Sequence, residues 1–138
     1  MSIVLITGSC GLVGSESVEF FATKGFDVIG IDNNSRLEFF GKDGDTNWVK
    51  NNLIKSYKNY IHKNIDIRNY SGLEKIFQKY KNSIELIIHS AAQPSHDWAK
   101  KKPFIDFNIN ALGTLNLLNL TKKYSYNAPF IFMSTNKV

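Results

Sequence analysis

The segment Gly8-Ser9-Cys10-Gly11-Leu12-Val13-Gly14 follows directly on the apolar run Ile3-Val4-Leu5-Ile6, with Thr7 between them. Such a run suits a strand buried on both faces of a parallel sheet. Val13, Val18, Phe21 and Ala22 then recur at helical spacing. Lys24-Gly25 ends that helix, with Gly25 in the usual C′ place. A second apolar run, 28–31, stops at Asp32. Strand, G-x-x-G-x-x-G turn, helix, strand and acid, in that order, make a βαβ unit with a phosphate-binding turn.

Each glycine has a separate task. Gly8 turns the backbone sharply out of the strand. Gly11 leaves a pyrophosphate room to approach, and Gly14 lets the helix lie close to the sheet. The free N–H groups of the helix start face the phosphates. Asp32 is placed to accept hydrogen bonds from both adenosine ribose hydroxyls, which predicts NAD over NADP. A 2′-phosphate in contact with that carboxylate costs up to about 4 kcal/mol at an effective dielectric near 20. Arg36 softens the preference.

The remaining elements follow from periodicity. The polar stretch 33–45 reads as a long loop. Thr46 is placed to cap a short helix around Trp48, Val49 and Leu53. A third strand spans 60–65 and ends at Asp66. Ser71-Gly72-Leu73-Glu74 has the capping-box spacing and starts a helix with Leu73, Ile76, Phe77 and Tyr80 on one face. Residues 84–88 form a fourth strand, followed by His89-Ser90-Ala91-Ala92. A helix from about Pro103 to Lys123 carries Phe104, Phe107, Ala111, Leu115 and Leu118 at helical spacing. A fifth strand covers 130–133. Right-handed crossovers give an α/β fold, a Rossmann-type doubly wound parallel sheet in the order 3-2-1-4-5. Ligands then belong at the strand ends, near Thr7, Asp32, Asp66, His89 and Ser134.

At 138 residues the chain is one domain. Its formal charge of +5 is spread over lysines on polar faces and in loops. No basic stripe is interleaved with aromatics, so nucleic acid is not an expected partner. No apolar run is long enough to span a membrane. The single cysteine, Cys10, excludes an internal disulfide and fits a cytoplasmic location. It fills a tight turn. The three histidines and one cysteine show no ligand spacing, so no metal is expected. Trp48 and Trp98 read as packing residues, Asp97 as a cap, and His89 as a structural histidine.

Thr7-Gly8-Ser9-Cys10-Gly11-Leu12-Val13-Gly14, Asp32-Asn33, Asp66-Ile67, His89-Ser90-Ala91-Ala92, Asn110-Ala111-Leu112-Gly113-Thr114 and Met133-Ser134-Thr135 together resemble the extended short-chain dehydrogenase/reductase family. These are the NAD-dependent sugar-nucleotide epimerases and dehydratases. Ala91-Ala92-Gln93-Pro94-Ser95-His96-Asp97-Trp98-Ala99 and Ser134-Thr135-Asn136-Lys137-Val138 look more narrowly like the 2-epimerases of CDP-sugars.

The resemblance implies roles. Gly8, Gly11, Leu12, Val13 and Gly14 hold the pyrophosphate of NAD. Asp32 and Asn33 hold the ribose, with Ser35 and Arg36 nearby. Asp66 accepts from the adenine amino group and Ile67 packs on the ring. Ala91, Ala92 and Gln93 line the dinucleotide near its middle. Asn110 steadies the strand-end loop. Ser134 joins the cofactor pocket, and Thr135 is the catalytic hydroxyl on the sugar. Ser95 and His96 meet a nucleotide sugar, with a CDP-sugar favoured. The implied reaction is hydride transfer to NAD and back, through a transient keto-sugar. Pairing of copies through helices is implied as well.

The family's Y-x-x-x-K is absent from these 138 residues. The six tyrosines are followed at the fourth position by Ile61, Asn64, Glu74, Ile84, Ala128 and Phe130. The expectation is an N-terminal, NAD-binding portion (1–138), inactive alone, with the tyrosine, the lysine and the substrate domain lying further on. Ser9 stands where the family commonly has glycine. Two alternatives stay open: a 4-epimerase or dehydratase of the same family, and a truncated NAD-binding fragment without catalysis. A dehydratase favours acids after the catalytic threonine, and here Asn136-Lys137 follows Thr135.

Overall fold

The computed structural model describes residues 2–134. Five parallel strands lie in the order β3-β2-β1-β4-β5. They are β1 (Ile3–Thr7), β2 (Asp27–Ile31), β3 (Tyr60–Lys63), β4 (Ile84–His89) and β5 (Phe130–Phe132). The expected order is the observed one.

Side chains of β1 alternate between two cores, as a strand's period of two demands. Ile3 and Leu5 join Ile29, Ile31, Leu73, Phe77, Ile87, Leu117 and Leu120 on one face. Val4 and Ile6 join Val18, Ala22, Val28, Leu53 and Ile88 on the other. The first face is covered by α4 (Tyr70–Tyr80) and α7 (Gly113–Tyr124), the second by α1 (Leu12–Thr23) and α3 (Asn47–Ser56). The central strand β1 is therefore buried on both faces, which suits an all-parallel sheet, while Ile131 and Phe132 of the edge strand β5 stay exposed. No helix among the described residues is long and apolar enough to cross a membrane.

Several local expectations are corrected. The stretch 33–45 is not plain loop. It holds α2 (Arg36–Phe40) and a 3-10 turn, Gly41–Gly44. Asn34, at φ 57°, fastens it by accepting from the Thr46 amide and hydroxyl and donating to Asp45. The Thr46 hydroxyl is thereby turned away from capping α3, and Asp45 Oδ1 accepts the Asn47 N–H at 2.9 Å instead. β3 ends at Lys63, two residues early. The capping box at Ser71 is displaced as well. Asn69 is the cap of α4, accepting the Gly72 N–H at 3.0 Å, an interaction worth about 1 kcal/mol. Glu74 turns instead to Lys123 and Tyr124 on α7. Ser95, not Asp97, caps α5 (His96–Lys101), through the Trp98 N–H.

The long helix is a rod in three parts: α6 (Pro103–Phe107), a π-helical turn at Asn108–Leu112, and α7. Its buried stripe is Ile109, Gly113, Asn116, Leu117, Leu120 and Thr121. The expected face is the wrong one. Phe104 is 83% exposed, and Phe107, Leu115 and Leu118 are exposed too. Two apolar stripes share this helix. Packing on α4 and Ile67 selects the other one. Trp48 is likewise no packing residue, being 67% exposed, whereas Trp98 lies on Phe39 with ring centroids 4.8 Å apart.

Candidate dinucleotide-binding site

β1 ends at the glycine turn because Gly8 takes φ +68°, a conformation costly for any residue with a Cβ. Its N–H donates to Ile31 O at 2.8 Å, which ties the turn to the end of β2. The Gly11 N–H donates back to Gly8 O at 3.0 Å. A Cβ on Gly14 would sit 1.9 Å from Gly8 O, so α1 starts in direct backbone contact with the turn. A Cβ on Gly11 would meet only Gly8 O, at 3.3 Å. Beyond that, Gly11 faces open space, the cradle that a phosphate group needs. Ser9 is accommodated because Gly30 lies beneath it. Its hydroxyl is 3.0 Å from the Tyr60 hydroxyl, and a Cβ on Gly30 would collide with both.

The turn opens on a cavity of about 240 Å³. Gly8, Gly11, Leu12, Val13, Gly14, Asp32, Asn33, Ser35, Arg36, Asp66, Ile67, Ala91 and Ala92 all line it. Val13 is exposed at its mouth rather than buried under α1. Asp32 is fixed by two backbone donors, Cys10 N–H at 3.0 Å and Asn34 N–H at 2.8 Å. Each oxygen keeps a lone pair for a further donor.

Asp66 differs from expectation. Its two oxygens already accept four hydrogen bonds, three from Arg68 and one from Asn33 Nδ2 at 3.0 Å. That fills a carboxylate's four acceptor sites, so an adenine amino group must displace one donor. Burial alone raises the Asp66 carboxyl. The Arg68 hydrogen bonds and charge, with Asn33, reverse this and hold it below its ordinary value. Ile67 lines the cavity, but its Cδ1 is directed at Gly113. Arg36 stacks on Phe40 at 4.9 Å from the ring centroid.

Gln93, Asn110, Ser95, His96 and Ser134 are absent from that lining. They surround a second cavity of about 410 Å³, with Ala91 and Ala92 shared between the two. Gln93 lines the second cavity rather than the first and acts as a brace there: its side chain donates to Ser95 O and Asp106 and accepts from the Ser95 N–H. Asn110 projects from the π turn and holds Gln93 at both main-chain groups. It accepts from Gln93 N at 2.8 Å and donates to Gln93 O at 3.2 Å. Thr135 lies outside the described residues.

Burial, and then the charge of Asp32, push the Cys10 thiol up to about 11, so it is no nucleophile near neutral pH. Among the described residues no group of three His, Cys, Asp or Glu side chains could hold a metal ion.

The family model described as GDP-mannose 4,6 dehydratase matches residues 5–138. The chain belongs to this family of nucleotide-sugar epimerases and dehydratases. CDP-paratose 2-epimerase of Salmonella typhi is 36% identical over 98% of the chain and 37% of its own length. UDP-glucuronate 4-epimerase of Thermodesulfobacterium geofontis is 36% identical over 90% of the chain and 36% of its length. Among solved structures, UDP-glucose 4-epimerase of Thermotoga maritima with UDP-glucose superposes with a TM-score of 0.75. It is 30% identical and covers 96% of this chain and 38% of that one. The Bifidobacterium longum UDP-glucose 4-epimerase in complex with NAD+ and UDP gives 0.73 at 27% identity, covering 98% and 37%. The chain thus spans a little over a third of the length of these family members.

Phe39, Ile65, Ser90, Pro94, Ile109 and Met133 also line the first cavity, and the sequence did not single them out. Ser90, Pro94 and Met133 were within reach, since each stands in a motif that carries the resemblance. Phe39 carries no signal, because only the folding of α2 brings it there.

Proposed function

We propose that this chain is the cofactor-binding part of an NAD-dependent nucleotide-sugar epimerase, acting at C2 of a CDP-linked sugar and converting CDP-paratose to CDP-tyvelose. The observation that carries the cofactor reading is the convergence of the Gly8–Gly14 turn and Asp32 on one cavity. The substrate reading is supported by the 36% identity to a CDP-paratose 2-epimerase. When bound, NAD supplies reversible hydride acceptance, which inversion at a carbinol carbon requires.

In this reading Gly11 admits the pyrophosphate and the first N–H groups of α1 face it. Asp32 takes the ribose hydroxyls. Ala91 and Ala92 form the wall between the cofactor and the second cavity. Ser95 and His96, at that cavity, face the sugar nucleotide. Thr135 hydrogen-bonds the sugar hydroxyl, and Ser134 flanks it. Asn136-Lys137 after Thr135, in place of acids, favours epimerisation over dehydration.

Calorimetry tests the cofactor half: NAD binds at least about tenfold tighter than NADP, equivalent to ~1.4 kcal/mol. A folded complete protein that binds neither overturns the reading. Product analysis with CDP-paratose and UDP-glucose, on the complete protein, then separates the 2-epimerase from a second reading. That second reading, a UDP-sugar 4-epimerase, is favoured by the Thermodesulfobacterium and Thermotoga relatives.

We propose also that a second copy covers the exposed stripe of Phe104, Phe107, Leu115 and Leu118. An apolar patch of this kind is unusual on a monomer. Sedimentation of the complete protein should show a dimer that Phe107→Asp dissociates. A monomeric parent rejects the idea.

A further inference from the structure

Four hydrogen bonds join five groups, from the Ala91 N–H through Thr7, His89 and Thr114 to the Asn110 carbonyl, and the cofactor reading gives the three side chains no role. Thr7 Oγ1 is 2.7 Å from His89 Nδ1. His89 Nε2 is 2.9 Å from Thr114 Oγ1. Thr114 Oγ1 donates to the Asn110 carbonyl at 2.6 Å. The Ala91 N–H donates to Thr7 Oγ1 at 3.3 Å.

Proton counting fixes the direction of every link. A carbonyl only accepts, so the single Thr114 hydroxyl proton goes to Asn110 O. Toward His89, Thr114 can then only accept, and the ring proton must sit on Nε2. A neutral imidazole has one N–H, so Nδ1 is bare and receives the Thr7 hydroxyl proton. Thr7 Oγ1 keeps a lone pair for the Ala91 N–H. His89 is 2% exposed, lies between Phe130 and Phe132, and burial pushes its pKa down to about 4. The ring is therefore neutral near pH 7.

The chain ends where the wall ends. Ala91 is held through Thr7. Gln93 is held at its N–H and C=O by the Asn110 side chain, and Asn110 is the residue whose carbonyl Thr114 engages. The wall also touches the glycine turn, since a Cβ on Gly8 would lie 2.7 Å from Ala91 N. The π turn that contains Asn110 is the kind of helix irregularity often found at functional sites.

We propose that Thr7, His89 and Thr114 are positioning residues of the cofactor site: a neutral, Nε2-protonated His89 links them in a one-way chain that sets the Ala91–Gln93 wall against the glycine turn. This rests on the reading of the cavity as the NAD site. None of the three lines the first cavity. They act through the wall.

The test uses the complete protein, ¹⁵N-labelled, with three variants. Thr114→Val keeps the side chain's shape and removes its hydroxyl. Thr114→Ser keeps the hydroxyl. Thr121→Val removes another buried hydroxyl from the same helix, one that only back-bonds to Leu117 O. Expected in the parent are Nδ1 and Nε2 resonances of the Nε2–H tautomer. In Thr114→Val that tautomer signature is lost, the Ala91 and Gln93 amide resonances move, and the NAD dissociation constant rises about tenfold. Thr114→Ser restores all three, and Thr121→Val stays within about twofold of the parent. An Nδ1–H tautomer in the parent overturns the proposal, as does a Thr114→Val protein with parental amide shifts and NAD affinity. If the parent binds no NAD the cofactor reading fails, and the tautomer and amide shifts alone then confirm or refute the chain.

Discussion

Gly14→Ala should abolish measurable NAD binding and cost at least about 3 kcal/mol of stability, the upper part of the range for overpacking a tight site. The added Cβ would lie 1.9 Å from Gly8 O, 2.7 Å from Gly8 C and 2.9 Å from Ser9 Cα. All three are backbone atoms, so no rotamer change relieves the clash. The turn cannot give way either. The Gly8 N–H is bonded to Ile31 O, and Gly8 is packed against the Ser90–Ala91 backbone. Relief must come from α1, whose start would move away from the turn and take its N–H groups out of line with the phosphates. Gly113→Ala makes the contrast. Its Cβ would meet Ile67 Cδ1 at 2.6 Å, the far end of a side chain that can rotate. Urea midpoints and calorimetry decide the matter. A Gly14→Ala protein that unfolds with the parent and binds NAD normally would show the helix free to shift.

That clash was legible in the sequence as spacing, because G-x-x-G-x-x-G after a buried strand has few structural solutions. The sheet order was legible for a related reason. Apolar runs alternating with amphipathic helices leave little choice once crossovers are right-handed. What the sequence hid was choice between near-equal options. Asn69 and Ser71 are both good caps two residues apart, and only the path of the chain into α4 decides for Asn69. Phe104, Phe107, Leu115 and Leu118 make as regular a stripe as Ile109, Gly113, Leu117 and Leu120. Contact with Ile67 and α4 selects the second, a long-range fact. Of the site, Asp32 and the glycines were visible because one residue type at one spacing carries the function. Asp66 was visible as a strand-end acid, but its saturation by Arg68 and Asn33 depends on side-chain geometry that spacing does not encode. Gln93 is held away from the first cavity for the same reason: besides Ser95, its partners are Asp106 and Asn110, more than ten residues on.

The second large effect is acid lability between about pH 6.5 and 4, and its main source is His89. The imidazole's ordinary value is 6.5, and burial brings it to about 4 in the folded chain. Over that interval the unfolded chain binds a proton that the folded chain refuses, so stability rises with pH there and falls on acidification. The His89 contribution is complete above pH 6.5 and lost by pH 4, with a span of about 3 kcal/mol. Among the described residues its hydrogen-bond partners are two neutral hydroxyls, so no carboxylate is there to receive a charged ring. Protonation also breaks the donor order, because Nδ1 would then need an acceptor where it now receives the Thr7 proton. The half-buried His62 is lowered too, chiefly by burial, and adds in the same direction. Asp45, Asp66 and Glu74 are lowered carboxylates, whose stabilisation is lost at lower pH still. Urea unfolding at pH 7.5, 6, 5 and 4.5 should give a steep loss in the parent and a similar one in His62→Gln. In His89→Gln stability should be lower at pH 7.5 and fall only gently down to pH 5, by the share that His62 carries. Equal slopes in the parent and His89→Gln would mean that the ring is reached by solvent and takes its proton without opening the wall between the two cavities.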